Sequence, residues 1–164
     1  MDEDENVAPD AWTGYRASAL GLSPGTPSTE ELYPPQQHFL QLWQTYLSNI
    51  HPVTMILHAP SAGEVLAEAV KGHGRASKEA EALLFATMAC ALISVTDADC
   101  TRLLGEKRST LYSRYRLGCD VALTNANFLT SSNLCVLQAY TIYLVSFPHI
   151  RQPLSTAEPR LGGH

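Results

Sequence analysis

A nearly continuous apolar run from Ala82 to Val95 limits the folds that are open to this chain. The run is 14 residues long, whereas a membrane-spanning helix requires roughly 20 apolar residues. It mixes small and bulky side chains, so neighbouring helix backbones can approach it closely. Because a helix that is apolar on every side must be covered by neighbours, the run predicts a central buried helix and no membrane span.

Segments on both sides of this run carry apolar residues at helical spacing, and none shows the alternation of a strand. The first segment follows Pro34, and Pro52 is expected to end it. Ser61 and Glu64 fit a capping box, which predicts that the next helix starts there. Ser77 and a Thr96-led turn are expected to cap later helices. Two longer helices are predicted over 106–127 and 131–147, so the sequence indicates an all-α irregular helical bundle.

Composition along the chain predicts three regions. Residues 1–32 are rich in Pro, Gly, Ser and Thr and poor in large apolar side chains, which is typical of a segment that stays disordered. Residues 1–33 hold seven acidic residues and one basic residue, so they form an acidic leader. Helical patterning covers 33–148. The pattern stops there, and 149–164 are expected to form a disordered tail.

Net charge argues against nucleic-acid binding by this chain alone. Beyond residue 33 there are nine acidic and ten basic residues, which is too small a basic excess to neutralise many phosphates. The basic side chains that do cluster are interleaved with Asp97, Asp99, Glu106 and Asp120, which favours a salt-bridged outer face over an anion site. The members of this basic cluster are Arg102, Lys107, Arg108, Arg114 and Arg116.

Residue types that carry chemistry show no spacing that indicates an active or metal site. The four cysteines contain no Cys-x-x-Cys pair, so they are expected to pack in the core of a protein from a reducing compartment. His51 and His58 have no carboxylate or thiol at ligand spacing. No catalytic residue, metal or cofactor is therefore predicted. The acidic N-terminus does not resemble a secretory signal, so an intracellular protein is expected.

Several sequence blocks, in order, resemble one family. They read FLQLWQTY at 39–46, NIHP at 49–52, ILHAP at 56–60, EALLFA at 81–86, SVTD at 94–97, LLGE at 103–106, RYR at 114–116 and LCVLQAY at 134–140. Together they resemble the fungal-specific transcription factor domain, the middle homology region of the binuclear zinc cluster regulators. The resemblance covers about residues 33–147, and it implies an all-helical regulatory region of a nuclear transcription regulator.

The resemblance also sets expectations about function. Such regulators often govern a metabolic or secondary-metabolite gene cluster, and they normally carry an N-terminal six-cysteine zinc cluster that reads DNA. Residues 1–32 contain no cysteine, so direct DNA binding is not expected, and the region present is interpreted as part of the regulatory domain. Family members continue through further helices. We therefore expect exposed apolar surface that binds a protein partner, either a full-length zinc cluster regulator or a second copy.

The last predicted helix is the candidate for this interaction surface, because it is apolar around most of its circumference. Some of Val136, Tyr140, Tyr143 and Phe147 are expected to remain exposed on it and to form this surface. The alternative function is a small all-helical enzyme with a pocket in its bundle. A convergent set of polar groups in one apolar cavity would indicate the enzyme.

Overall fold

The computed structural model describes residues 25–72 and 75–146, and over these residues the chain is helical with no strand. The elements are α1 (Thr29–Leu32), α2 (Gln36–Thr45), a π-helical turn (Tyr46–Ile50), α3 (His51–Thr54), α4 (Ala59–Gly72), α5 (Lys78–Ile93), α6 (Asp97–Leu104), α7 (Arg108–Asn125) and α8 (Leu134–Ser146). The all-α prediction is confirmed. No helix among the described residues is both long and apolar enough to cross a membrane.

Helix α5 forms the centre of the bundle, as its composition predicts. Every residue from Ala80 to Leu92 is buried. Helices α7 and α8 make the most extensive contacts with α5, while α2 and α4 cover other parts of it. Because α5 has neighbours on several sides, it needs no polar face. Its N-terminus is capped as predicted: the Ser77 hydroxyl accepts a hydrogen bond from the Ala80 amide at 3.2 Å.

The sequence predicted the N-termini of α4 and α6, and the structure confirms only the second. Thr96 caps α6 as expected, since its hydroxyl accepts from the Asp99 amide at 3.1 Å. The capping box at Ser61 is wrong, because α4 already begins at Ala59 and Ser61 lies inside its first turn. There the Ser61 hydroxyl pairs with the His58 Nδ1 at 2.9 Å. A side chain that forms this local contact is not available as an N-cap.

Pro52 does not end the first helical segment. The chain passes from α2 through the π-helical turn into α3, and Pro52 occupies the first turn of α3. A proline is tolerated at this position, because the first amides of a helix have no intrahelical partner. The segment ends at Met55 instead, whose φ is 47° and whose amide donates to the His51 carbonyl at 2.9 Å.

The N-terminal boundary of the fold lies earlier than predicted. Thr29, Leu32 and Tyr33 are buried, although a disordered leader was expected through residue 32. We call residues 29–33 the strap. The buried Glu81 carboxylate of α5 holds the strap in place, because it accepts hydrogen bonds from the Thr29 hydroxyl at 3.2 Å and from the Tyr33 hydroxyl at 2.8 Å. Two charge-assisted bonds and the apolar contacts offset the ordering entropy of the segment. The remaining leader, 1–24, and the tail, 149–164, lie outside the described residues.

His38 provides a second polar link inside the bundle. Its Nε2 lies 3.1 Å from the Leu104 carbonyl and its Nδ1 lies 3.3 Å from the Tyr115 hydroxyl. Because a carbonyl only accepts, the His38 Nε2 must carry a proton and donate it; in the neutral ring Nδ1 then accepts from the Tyr115 hydroxyl. This arrangement joins α2 to α6 and α7. Nothing in the spacing of the sequence indicates it.

Candidate interaction surface

Helix α8 carries no charged residue over its 13 positions. It starts at Leu134, and the side chain of the preceding Asn133 accepts a hydrogen bond from the Cys135 amide at 2.8 Å. This bond satisfies one of the free amides at the helix N-terminus. The structure therefore confirms a helix in this region, and Asn133 caps it.

The two faces of α8 have very different environments. Its inward face contacts mainly α5, and the buried residues on it are Val136, Ala139, Ile142, Tyr143 and Ser146. The opposite face is exposed to solvent, and its residues are Leu134, Leu137, Thr141, Leu144 and Val145. We call this second set the α8 stripe. Four large aliphatic side chains exposed on one helix face are typical of an interaction site.

The residues that were predicted to form this surface lie elsewhere. Val136 and Tyr143 are buried, so the exposure expected of them is wrong. Tyr140 is half-buried and packs against the Phe128 ring, with ring centroids 5.0 Å apart. Phe147 lies outside the described residues. The large aliphatic side chains that α8 exposes lie on the opposite face from Val136 and Tyr143. An interaction through α8 remains a proposal, now carried by the α8 stripe.

The polar side chains of α8 are satisfied within the protein. The Thr141 hydroxyl donates to the Leu137 carbonyl at 2.7 Å, and the Ser146 hydroxyl donates to the Ile142 carbonyl. Hydroxyl groups that bond to the preceding turn of their own helix make no demand on an outside partner. The α8 stripe therefore behaves as an apolar surface along its whole length.

A second exposed apolar feature lies beside α8. Val53 is 84% exposed and Met55 is 74% exposed, at the turn where α3 ends. Gln138 of α8 donates to the carbonyl of the neighbouring Ile56 at 3.0 Å, which ties this turn to the helix. Met55 adopts a left-handed backbone conformation that is unfavourable for a residue with a side chain. Such strain persists only where the surrounding structure imposes it.

Asp120 is a buried ionisable residue of α7 that contacts α8. The Tyr143 hydroxyl is hydrogen-bonded to the Asp120 carboxylate, and Arg116 is a nearby positive charge. Burial nevertheless raises the pKa of Asp120 above its ordinary value of 3.8, because these two interactions do not replace the lost hydration. The Asp120 Oδ1 atom is buried without a hydrogen-bond partner. The α7–α8 contact therefore contains a carboxyl group whose charged form is disfavoured.

Three arginines of the basic cluster form ion pairs, as the sequence predicted. Arg102 pairs with Asp99 at 3.1 Å, Arg108 with Asp97 at 2.8 Å and Arg114 with Glu106 at 3.4 Å. Arg102 and Thr96 together hold the pKa of Asp99 below its ordinary value. An open groove between α6 and α7 is lined by three of these ion-paired residues, Asp97, Arg102 and Arg108, and by Lys107. Paired charges leave little capacity to attract a phosphate chain.

Histidine and cysteine side chains are scattered among the described residues. No group of three or more His, Cys, Asp or Glu side chains in that part of the chain could hold a metal ion. Cys90, Cys100 and Cys119 are buried thiols, which confirms the core packing predicted for them. Burial raises the pKa of the Cys119 thiol well above its ordinary value, so its reactive thiolate is disfavoured. Cys135 is half-buried and also unpaired.

Comparison with curated proteins relates this helical arrangement to transcription regulators. The chain is 43% identical over 118 residues to the aurofusarin cluster transcription factor aurR2 of Gibberella zeae. It is 32% identical over 154 residues to the pyriculol/pyriculariol biosynthesis cluster transcription factor 1 of Pyricularia oryzae, and 30% identical over 137 residues to the C6 finger domain transcription factor adaR of Aspergillus niger. This chain is homologous to one region of the fungal zinc cluster transcription factors.

The match covers most of this chain but only a small part of each relative. The homologous region covers 72%, 89% and 81% of this chain, in the same order, but only 18%, 21% and 18% of the three relatives. The chain thus spans about a fifth of the length of the transcription factors that it matches. No family model matches the sequence. No solved structure matches the fold.

Proposed function

We propose that this protein is a transcription regulator, or the regulatory part of one, that controls a fungal secondary-metabolite biosynthetic gene cluster. The observation that carries this proposal is its homology to regulators named for the aurofusarin and pyriculol clusters. That homology covers most of the chain, and the fold is the helical bundle that the family resemblance implies. The protein would act in the nucleus, where gene clusters are transcribed.

The structure favours action through protein contacts. Four of the large apolar side chains that are exposed among the described residues lie on the α8 stripe, which has no charge to bind a phosphate backbone. Arg102, Arg108 and Arg114 already pair with carboxylates. Apolar exposed patches of this kind are typical of surfaces that bind other proteins. The partner would be a zinc cluster regulator that supplies the DNA-reading function, or a second copy of this chain.

The enzyme alternative has less support. Three grooves that the structure describes are open to solvent, and none of the three is an apolar cavity in which polar groups converge. The buried Glu81 and the half-buried His38 make hydrogen bonds to other parts of the bundle, and these bonds hold the helices together. The relatives are named as transcription factors, and none of the names cited above describes an enzyme.

Deletion of the gene in its own organism tests this proposal. Transcripts of neighbouring biosynthetic genes should change severalfold, and the intact gene should restore them when it is returned. A returned gene carrying Leu137→Glu should fail to restore them, whereas Leu40→Glu, which changes an exposed leucine on α2, should succeed. Unchanged biosynthetic transcripts after deletion would contradict the proposal.

A gel-shift experiment addresses DNA contact separately. The purified chain should not retard promoter DNA of the cluster in a sequence-specific manner at physiological salt, because four of the eight lysine and arginine side chains among the described residues already form ion pairs with carboxylates. Sequence-specific retardation by this chain alone would show that it reads DNA without a partner.

A further inference from the structure

The open groove between α6 and α7, which we call the α6–α7 groove, carries an excess of positive charge. Its volume is about 770 Å³. Arg102, Lys107 and Arg108 line it, whereas Asp97 is the one acidic residue in its lining. An excess of one sign of charge along a groove raises the local concentration of the opposite charge. The α6–α7 groove can therefore hold an anionic group that is attached at its edge.

The cations of the α6–α7 groove are available to such a group. Lys107 is exposed and forms no ion pair with any residue in the described part of the chain. Arg108 pairs with Asp97, but the Asp97 side chain is 80% exposed. Ion pairs this exposed contribute little to stability. A more highly charged anion in the groove can therefore replace the carboxylate as the partner of Arg108.

Ser109 places an unbonded hydroxyl at the edge of the same groove. The residue lines the groove and is exposed at the second position of α7. Among the described residues its hydroxyl has no hydrogen-bond partner, and the cap position of α7 is occupied by Lys107. The Ser109 hydroxyl therefore has no structural role in the bundle, and it is accessible to an enzyme that modifies side chains.

The residues before Ser109 suit a protein kinase whose substrate cleft is acidic. Lys107 and Arg108 directly precede the serine, and charge patterns around the acceptor residue are one way in which kinases select substrates. The backbone also favours access, because Lys107 has the extended angles φ −67° and ψ 137°. Helix ends open more readily than helix interiors. Opening the first turn of α7 would present Ser109 on an extended segment.

We propose that Ser109 is a phosphorylation site and that the α6–α7 groove holds the resulting phosphoryl group. A protein kinase would supply the γ-phosphoryl group from ATP. A bond forms between the Ser109 Oγ and the γ-phosphorus, the bond from that phosphorus to the β–γ bridging oxygen breaks, and ADP leaves. The hydroxyl proton passes to the catalytic base of the kinase. This site goes beyond the proposed function, because the modification of Ser109 requires no particular target gene or partner.

Phosphorylation would rearrange the ion pairs between α6 and α7. The new group carries a charge of about −1.5 to −2 at pH 7, and its covalent attachment gives it a high effective concentration in the groove. Arg108 would turn from Asp97 towards the phosphoryl group. Because Arg108 also donates to the Val95 carbonyl at 3.2 Å, the change would reach the turn between α5 and α6. A kinase would thus alter the surface of α6 and α7 while the bundle stays folded.

Phosphorus NMR on the full chain, produced with phosphoserine at position 109, tests whether the groove holds the group. The second pKa of phosphoserine is about 6, and neighbouring cations lower it by favouring the doubly charged form. We expect this pKa to lie at least about half a unit below that of a phosphopeptide of residues 105–112. Lys107→Gln should reverse part of the shift, and Lys107→Arg should preserve it. Circular dichroism checks that each variant is folded.

Mass spectrometry of the full chain, purified from its own organism during growth and in stationary phase, tests whether the modification occurs. Phosphate should be present on Ser109 in at least one of the two conditions. Lys107→Gln should lower its occupancy severalfold, because it removes a charge that the kinase reads. Ser113→Ala is the matched control, at an exposed serine of α7 that no basic residue directly precedes, and it should leave the occupancy of Ser109 unchanged.

Two results would overturn this assignment. A folded chain whose phosphoserine at position 109 titrates like the peptide would exclude the α6–α7 groove as the place that holds the group. Absence of phosphate from Ser109 in both growth conditions, including the case in which only Thr110 carries it, would exclude the modification site. Neither result bears on the proposed function, which depends on transcripts after gene deletion. Unchanged transcripts would contradict the proposed function and leave a phosphorylated Ser109 standing.

Discussion

The ring of Phe85 on α5 lies directly against Gly118 on α7, so that a Cβ atom at position 118 would overlap the ring. The two helices can pack this closely because glycine has no side chain. Both residues are fully enclosed. A small residue at a helix contact thus determines how closely α7 approaches the central helix.

Substitution of Gly118 by Ala should destabilise the protein. Overpacking a core typically costs about 1–3 kcal/mol, whereas Ala is favoured over Gly inside a helix by about 1 kcal/mol. We expect a net loss of up to about 2 kcal/mol in the free energy of unfolding, measured by urea denaturation at one fixed protein concentration. Phe85→Leu in the same chain should recover part of the loss. Gly72→Ala, where an added Cβ would meet only the Arg75 Cβ at an ordinary contact distance of 3.9 Å, is the control.

The strap over α5 should depend on the Tyr33 hydroxyl. Tyr33→Phe removes the 2.8 Å bond to the buried Glu81 carboxylate and leaves that oxygen without a donor. Loss of a bond to a buried charged group costs about 1–3 kcal/mol. Hydrogen exchange of the Thr29–Tyr33 amides should therefore accelerate markedly. Glu79→Gln, in the same turn of α5, should leave this exchange unchanged. Equal protection in Tyr33→Phe would show that the bond contributes little.

Asp120 should make stability depend on pH. Its pKa is raised in the folded protein, chiefly by burial. A group with a raised folded pKa stabilises the fold below its unfolded pKa, and this contribution is lost as the pH rises through the folded pKa. Asp120→Asn should thus unfold at a higher temperature than the native chain at pH 7. The difference should shrink towards about pH 3, below the ordinary pKa of 3.8, where the unfolded carboxyl is largely protonated. A constant difference at all pH values would contradict this explanation.

Tyr140 and Leu137 should respond differently to the same substitution. Tyr140→Ser removes a ring that packs against Phe128 at 5.0 Å and lies 6.3 Å from the Tyr143 ring. We expect it to lower the free energy of unfolding by about 1–3 kcal/mol. Leu137→Ser, on the exposed face, should change the stability of the monomer by less than about 0.5 kcal/mol. Thermal unfolding of both variants and of the native chain, compared at one fixed low protein concentration, limits any contribution from association.

Local rules predicted some helix ends and failed at others for identifiable reasons. The Ser77 and Thr96 caps depend only on residues three positions away, and both were confirmed. Pro52 was expected to end a helix. The π-helical turn before it allows a new helical turn to start at His51, so the missing proline amide has no consequence. A change in the hydrogen-bond register of this kind leaves no pattern in the sequence.

The order of the strap, residues 29–33, also could not be predicted from the local sequence, because its contacts come from residues far along the chain. Residues 29–32 are polar and acidic, which is typical of a disordered leader. Their order depends on Glu81, about fifty positions further along the chain, and on the ring of Phe85, which contacts Tyr33 edge to face at 5.5 Å. Only the folded bundle brings these groups together.

The sequence by itself determined the helical class and the central place of α5, because a run that is apolar on all sides has one stable environment in a bundle. It also predicted that α8 would leave apolar side chains exposed, and the structure shows such side chains on that helix. Which face of α8 would be buried was decided by the tertiary structure. The helix is apolar around most of its circumference, so its periodicity does not distinguish Val136 and Tyr143 from Leu137 and Leu144. The neighbouring α5 and α7 cover the first pair and leave the second in solvent.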